Sequence, residues 1–153
     1  MILVLQRVSR AVVRVGGETV GEIGPGLLAL GCVESGDDEN AVDEAAKKTA
    51  ELRIFPDADG RMNRNVCEAG GSVLAVSQFT LAADLSRGRR PGFEGAARPE
   101  AAEPLFARFI VALKAYGVPV ETGRFRAMME VELVNDGPVT FYWRTKRLSG
   151  GGG

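Results

Sequence analysis

The chain contains no histidine. That absence excludes Ser-His-Asp and Cys-His catalysis, imidazole general bases and histidine-ligated metal sites. Any enzyme chemistry must then come from carboxylates, hydroxyls, backbone dipoles or groups of the substrate itself. Cysteine is nearly lacking too: only Cys32 and Cys67 occur, with no C-x-x-C spacing and no pattern of a disulfide framework. Cys32 lies in the apolar run Leu27–Val33 and reads as a small buried thiol, whereas Cys67 falls in a polar loop. A reducing, cytoplasmic setting fits this usage. No apolar run approaches the roughly 18 residues of a membrane span. Residues 1–5 lack a basic leader and a small-residue cleavage site, so a first strand is expected there and not a signal peptide.

An excess of charge of one sign is also missing. Nineteen Lys and Arg against 20 Asp and Glu leave a net charge of −1, so no global basic field draws in nucleic acid. Local clusters exist instead. Arg87, Arg89 and Arg90 surround Gly88 with Arg98 nearby, Arg61 and Arg64 flank a loop, and Arg144, Lys146 and Arg147 stand near the end. Each cluster reads either as solvated surface or as a phosphate-tracking patch.

What is present is an ordinary globular composition. The 153 residues are 45% hydrophobic and 25% charged, which suits one domain with a single core. Residues 2–8 and Ala11–Val15 read as strands. Gly16-Gly17 reads as the turn to a partner strand Glu18–Ile23. Leu27–Val33 and Ser72–Phe79 read as central buried strands. A helix is expected over about 38–52, acidic at its start and basic later, as the helix dipole favours. Residues 53–55 are short and extended, 56–60 a turn, and 65–71 a loop. Residues 84–98 are a long Gly/Arg/Pro loop, a length that marks functional or mobile segments.

A second helix begins at Pro99 or Pro104 and runs to Tyr116, with Leu105, Phe106, Phe109, Ile110, Leu113 and Tyr116 as its apolar stripe. The awkwardness of an interior proline favours Pro104 as the start. Strands over 118–122, 128–134 and 139–143 complete the domain at about residue 147, and 148–153 read as a flexible Gly-rich tail. The expected fold is α/β: one curved, mixed or antiparallel, barrel-like sheet with two packed helices.

Three segments could carry chemistry. Ser77-Gln78-Phe79-Thr80 ends a central strand, where hydroxyls and an amide come close together; on local grounds it reads equally as a strand terminus bonded to its own backbone. Asn135-Asp136-Gly137-Pro138-Val139-Thr140 reads locally as a hairpin turn. Pro138 is unusual there, and local sequence leaves the isomer of its peptide bond open. The third is Gly123-Arg124-Phe125-Arg126-Ala127-Met128-Met129, whose Phe125, Met128 and Met129 read locally as core filling.

Taken together these segments resemble the D-aminoacyl-tRNA deacylase family. The matching pieces are Gln6-Arg7-Val8, Gly21–Gly24, Gly26–Leu28, Leu52–Phe55, Met62-Asn63, Gly70-Gly71, Val76–Leu81, Gly88, Arg90-Pro91, Gly123, Phe125 and Asn135–Thr140. They cover nearly the whole chain, and S-Q-F-T-L with N-D-G-P-V-T is a specific pair. The resemblance implies a homodimer with active sites at the interface. It implies that Ser77, Gln78, Phe79 and Thr80 form the pocket for the tRNA's terminal adenosine and its amino acid. A cis Gly137-Pro138 segment of the partner would face the α-carbon, with Asn135, Phe125 and Met129 contributing to binding and chiral selection. Arg126 stands where the family prefers a small residue.

The implied chemistry needs neither histidine nor metal nor cofactor. An aminoacyl ester beside a 2′-hydroxyl is activated, so water can attack a rigidly held carbonyl whose oxyanion meets backbone N–H donors, here those of Phe79 and Thr80. Thr80 as covalent nucleophile is the rival mechanism, and no base for it is evident. A main-chain wall at the α-carbon rejects L-side chains but has no means of rejecting glycine, so activity on glycyl-tRNA mischarged on tRNA(Ala) is expected. Arg87, Arg89 and Arg90 are candidates for the tRNA phosphates. A non-catalytic RNA-binding dimer and a small-molecule esterase using Thr80 are the competing functions.

Overall fold

The computed structural model describes residues 1–146. Arg147 and the tail expected over 148–153 lie outside the described residues.

The architecture is set by one long strand. β1 (Ile2–Val15) is continuous for 14 residues, where the sequence suggested two strands. One edge of β1 pairs first with β3 (Gly26–Cys32), through Ile2↔Cys32 to Val8↔Gly26, and then with β2 (Glu18–Ile23), through Ala11↔Ile23 to Val15↔Glu18. The expected Gly16-Gly17 turn joins β1 to β2, both glycines having positive φ. The other edge pairs along its length with the last strand.

After β3 come α1 (Glu39–Glu51), the short hairpin β4 (Phe55–Pro56) and β5 (Met62–Arg64), and β6 (Ser72–Ser77). A single 3-10 turn (Phe79–Ala82), α2 (Pro99–Ala115), β7 (Val120–Thr122) and β8 (Glu130–Arg144) follow. The sheet order is β2-β1-β3-β6-β7, with β8 beside β1. β3, β6 and β7 are mutually parallel and joined through α1 and α2. Two crossovers stepping in one direction leave both helices on one face. The far edge curls back until β2 meets β7. An added Cβ on Gly21 would lie 2.3 Å from the Thr122 carbonyl oxygen, so only glycine permits that approach. The sheet is therefore a nearly closed barrel.

The two faces explain why β3 and β6 are continuously apolar. Leu27, Ala29, Val73 and Ala75 face the helices, packing with Val42, Ala46, Phe106, Phe109 and Leu113. Leu28, Leu74 and Val76 face the barrel interior, with Val8, Ala11, Val13 and Ile23. α1 starts where Asp38 accepts a hydrogen bond from the Ala41 N–H at 2.9 Å. Among the described residues no helix is long and apolar enough to cross a membrane.

Three expectations are corrected. α2 starts at Pro99 and carries Pro104 inside; the exposed surface at Glu100 and Pro104 lets water take the carbonyl that proline cannot bond. β6 ends at Ser77 instead of Phe79, because the chain turns into the 3-10 segment once Gln78 N–H has bonded Gly31 O at 2.8 Å. Residues 84–98 are a long loop, as expected, braced where Asp84 pairs with Gly92, Glu34 with Ala96, and Ala97 N–H bonds Val33 O at 2.9 Å. Residues 135–140 are no hairpin turn, since β8 runs through them without reversing.

Candidate active site

Ser77 is the last residue of β6 paired to β3, and the 3-10 turn after it reorients the backbone. Leu81 N–H returns to Gln78 O at 3.3 Å and Ala83 N–H to Thr80 O at 3.1 Å. The first turn of any helix leaves its leading donors without internal partners. Among the described residues, the N–H groups of Phe79 and Thr80 have no backbone acceptor. The buried Cys32 thiol lies 3.5 Å from the Val33 carbonyl oxygen and 3.6 Å from that of Phe79, its one S–H serving either acceptor. Burial raises that thiol to about 11, so it stays protonated and able to donate.

Gln78 Nε2 donates to Thr80 Oγ1 at 3.2 Å, the only partner of that hydroxyl among the described residues. An amide that donates cannot take the hydroxyl proton. Phe79 is 56% exposed, and its ring meets Phe93 edge-on at 5.1 Å.

Beside this turn a cleft of about 170 Å³ opens between α2 and the ends of β6 and β7. Ser77 and Thr122 form its floor, Phe106 and Ile110 its helix wall, and Phe125 its far side. Phe125 packs against Phe106 with centroids 6.5 Å apart. The fold thus brings Ser77 and Phe125 together. Met129 does not line the cleft: its sulfur accepts from Arg124 N–H at 3.4 Å and it packs on the barrel interior. In the loop between β7 and β8, Arg126 has φ +67°, the left-handed region that glycine prefers.

The segment Asn135–Thr140 makes a bulge within β8. Gln6 pairs with Thr140 and Val8 with Asn135, so residues 136–139 stand opposite Arg7 alone. Asn135 Nδ2 donates to the carbonyls of Arg7 and Val139, both at 2.9 Å. Arg7 Nε donates to Asp136 O at 3.2 Å and Nη1 to Ile54 O at 2.8 Å. Val139 is buried, while Gly137 and Pro138 face outward, joined by a cis peptide bond.

Within one chain the turn and the bulge do not meet. Ser77 aligns with Gly31, Gly31 with Leu3, and Leu3 with Trp143. Three interstrand steps of about 4.8 Å and the four residues of about 3.3 Å from Leu3 to Arg7 along β1, opposite which the bulge stands, separate them by roughly 20 Å over the sheet. Arg87, Arg89 and Arg90 are exposed at the tip of the loop closed by the Asp84–Gly92 pair. Hydrogen bonds from the Ser86 hydroxyl and N–H hold the Asp84 carboxyl below its ordinary value at the base of that tip.

Sequence reasoning gave no role to two sets of residues at these places. Glu103 and Arg124 line the cleft. Glu103, Phe106, Ala107 and Ile110 share a helix face by their three- and four-residue spacing, a signal masked by treating the stripe as core alone. Arg7 clamps the bulge across 129 residues of sequence, and no local pattern announces such a contact.

The family model described as D-Tyr-tRNA(Tyr) deacylase matches residues 4–144. The D-aminoacyl-tRNA deacylase of Symbiobacterium thermophilum is 65% identical over 137 residues, covering 90% of this chain and 91% of that relative. The namesake of Paracoccus denitrificans is 56% identical over 142 residues, covering 93% and 95%. Among solved structures, the c-Myc DNA unwinding element binding protein superposes with a TM-score of 0.89 at 34% identity, over 95% of this chain and 99% of that one. A probable eukaryotic D-amino acid tRNA deacylase shares the fold, with a TM-score of 0.77 at 17% identity over 93% and 97%. By sequence along almost its whole length and by fold, this chain belongs to the D-Tyr-tRNA(Tyr) deacylase family.

Proposed function

We propose that this chain hydrolyses the ester of D-aminoacyl-tRNA to free tRNA and D-amino acid, and rejects L-aminoacyl-tRNA. The observation that carries the reading is the pair of unclaimed N–H groups at Phe79 and Thr80, beside a cleft with an aromatic wall. The terminal adenosine enters the cleft against Phe125, and the ester carbonyl lies over the turn. Water adds to the carbonyl carbon, and the oxyanion is met by the two N–H donors. The bond to the ribose oxygen then breaks, that oxygen takes a proton, and the amino acid leaves. The substrate's 2′-hydroxyl orients the water, which replaces the missing side-chain base. The donating amide on Thr80 speaks against a threonine nucleophile.

The working unit is a homodimer acting in the cytoplasm. Separation of the turn and the bulge by roughly 20 Å along the sheet supports a partner that brings its own Gly137-Pro138 over this chain's turn. β8 also exposes Val134, Phe141 and Tyr142, an apolar surface suited to a second copy. The bulge then bars the L-side chain at the α-carbon. Glycine offers nothing to bar, so glycyl-tRNA mischarged on tRNA(Ala) is cleaved too. Arg87, Arg89 and Arg90 track the tRNA phosphates.

The deciding experiment incubates the protein with D-tyrosyl-, L-tyrosyl- and glycyl-tRNA. Loss of the D- and glycyl-esters with survival of the L-ester is expected. Equal cleavage of D and L, or of neither, defeats the proposal.

A further inference from the structure

We propose that Asn135 governs chiral selection without touching substrate, as the positioning residue that staples the Gly137-Pro138 bulge; this rests on the function proposed above. The bulge has two legs. Val139 is buried in the core and anchors one, and the Arg7 guanidinium holds the Asp136 carbonyl on the other. What closes its neck is a single nitrogen: Asn135 Nδ2 spends one hydrogen on Val139 O, across the neck, and the other on Arg7 O in β1. The amide oxygen accepts from Thr140 Oγ1 at 3.5 Å, and Gln6 Nε2 donates to that hydroxyl at 3.2 Å. The reverse orientation of the amide would set its oxygen against two carbonyl oxygens.

Asparagine suits the place for a chemical reason. Two N–H bonds diverge from one planar nitrogen at the reach of one methylene. Aspartate keeps the shape and has no donor; glutamine moves the nitrogen outward by a further carbon. The staple is not needed for strand pairing, because β1 and β8 pair on both sides of it, over 2–6 with 140–144 and over 8–14 with 130–135. Its work is the placement of the exposed residues 137 and 138. Small errors of placement are costly where selection acts by steric rejection.

The test compares wild type, Asn135→Asp and Asn135→Ala. Two readouts are taken: amide hydrogen exchange over 135–140, and the ratio of D- to L-tyrosyl-tRNA cleavage. Expected are faster exchange confined to the bulge, thermal midpoints within a few degrees of wild type, and a D/L ratio reduced at least about tenfold. Unchanged exchange in both variants overturns the staple. Faster exchange with an unchanged ratio overturns its part in selection, as does a loss of both activities in proportion to unfolded protein. Should Asn135→Asp fail to fold, Asn135→Ala carries the same criteria. A wild type that cleaves D and L alike sinks the proposed function instead, and the exchange data still decide the staple.

Discussion

Arg7 and Asp136 meet across the break in the pairing of β1 with β8 that leaves residues 136–139 unpaired on one strand. Arg7 Nε donates to the Asp136 carbonyl at 3.2 Å and lies 3.4 Å from its carboxylate, while Nη1 reaches Ile54 O at 2.8 Å. The guanidinium is mostly covered and the carboxylate mostly exposed. A rigid planar cation thus ties the outward loop to the segment that follows α1. Everything proposed for substrate selection depends on that loop being held in one place.

Gly137→Ala tests the loop directly. A Cβ there would stand 2.5 Å from Val139 Cγ2 and 2.9 Å from Val139 N, at φ +137°. The buried Val139 cannot retreat, so the loop must move. D-aminoacyl-tRNA cleavage is expected to fall on the order of 100-fold, as misplacement by about 1 Å can cause. Circular dichroism should stay native, and wild-type rates in a folded Gly137→Ala protein would count against the assignment.

Thr80→Ala separates the two mechanisms. If the turn acts through its N–H groups, single-turnover deacylation should drop by no more than about tenfold, whereas loss of a true nucleophile costs roughly 10⁴-fold or more. Trapping of an acyl-enzyme in rapid-quench experiments would favour the threonine.

Removal of the arginine tip should change salt dependence more than chemistry. With Arg87, Arg89 and Arg90 all replaced by alanine, the slope of log KM against log salt should shrink by about 2–3 for phosphates on duplex or single strand. The rate at saturating tRNA should hold. An unaltered slope removes these residues from the tRNA contact.

Arg126→Gly should stabilise the protein. The left-handed backbone costs a non-glycine residue about 1–2 kcal/mol, and glycine gives back part of that through its looser unfolded chain. A net gain of about 0.5–1 kcal/mol in urea unfolding is expected.

Acid should act through Glu34. Burial pushes this carboxyl up, but hydrogen bonds from Arg144 and the Met1 ammonium more than reverse that, leaving it below its ordinary value. A carboxyl held low when folded stabilises above its unfolded pKa of about 4.3, and the contribution fades as pH falls through the folded value. Glu34→Gln should therefore cost roughly 2–3 kcal/mol at pH 7, less than a fully buried pair because Arg144 is half-exposed. The difference from wild type should narrow below about pH 4 in thermal melts.

Local pattern was enough for much of the fold. The Gly16-Gly17 hairpin, α1 with its acidic start, and the buried strands β3 and β6 follow from turn chemistry and hydrophobic periodicity, which act within a few residues. The same is true of the buried Cys32, and the family was legible from S-Q-F-T-L and N-D-G-P-V-T. Pairing across the sheet was not legible. Asn135–Thr140 carries the local signature of a hairpin, yet β1 is long enough to pair with both flanks, so the segment bulges while the strand continues. Likewise Phe79 is apolar enough for a strand, but in the register that sets Ser77 beside Gly31 it falls past Cys32, where β3 ends. The amino-acid order by itself determined the central buried strands β3 and β6, the first hairpin and the two helices, whereas Met128, apolar enough for a core, stands 91% exposed. Only the tertiary structure decided that Arg7 and Asn135 hold the bulge, that Glu103 and Arg124 line the cleft, and that turn and bulge lie far apart in one chain. Those contacts join residues distant in sequence, and no local propensity encodes them.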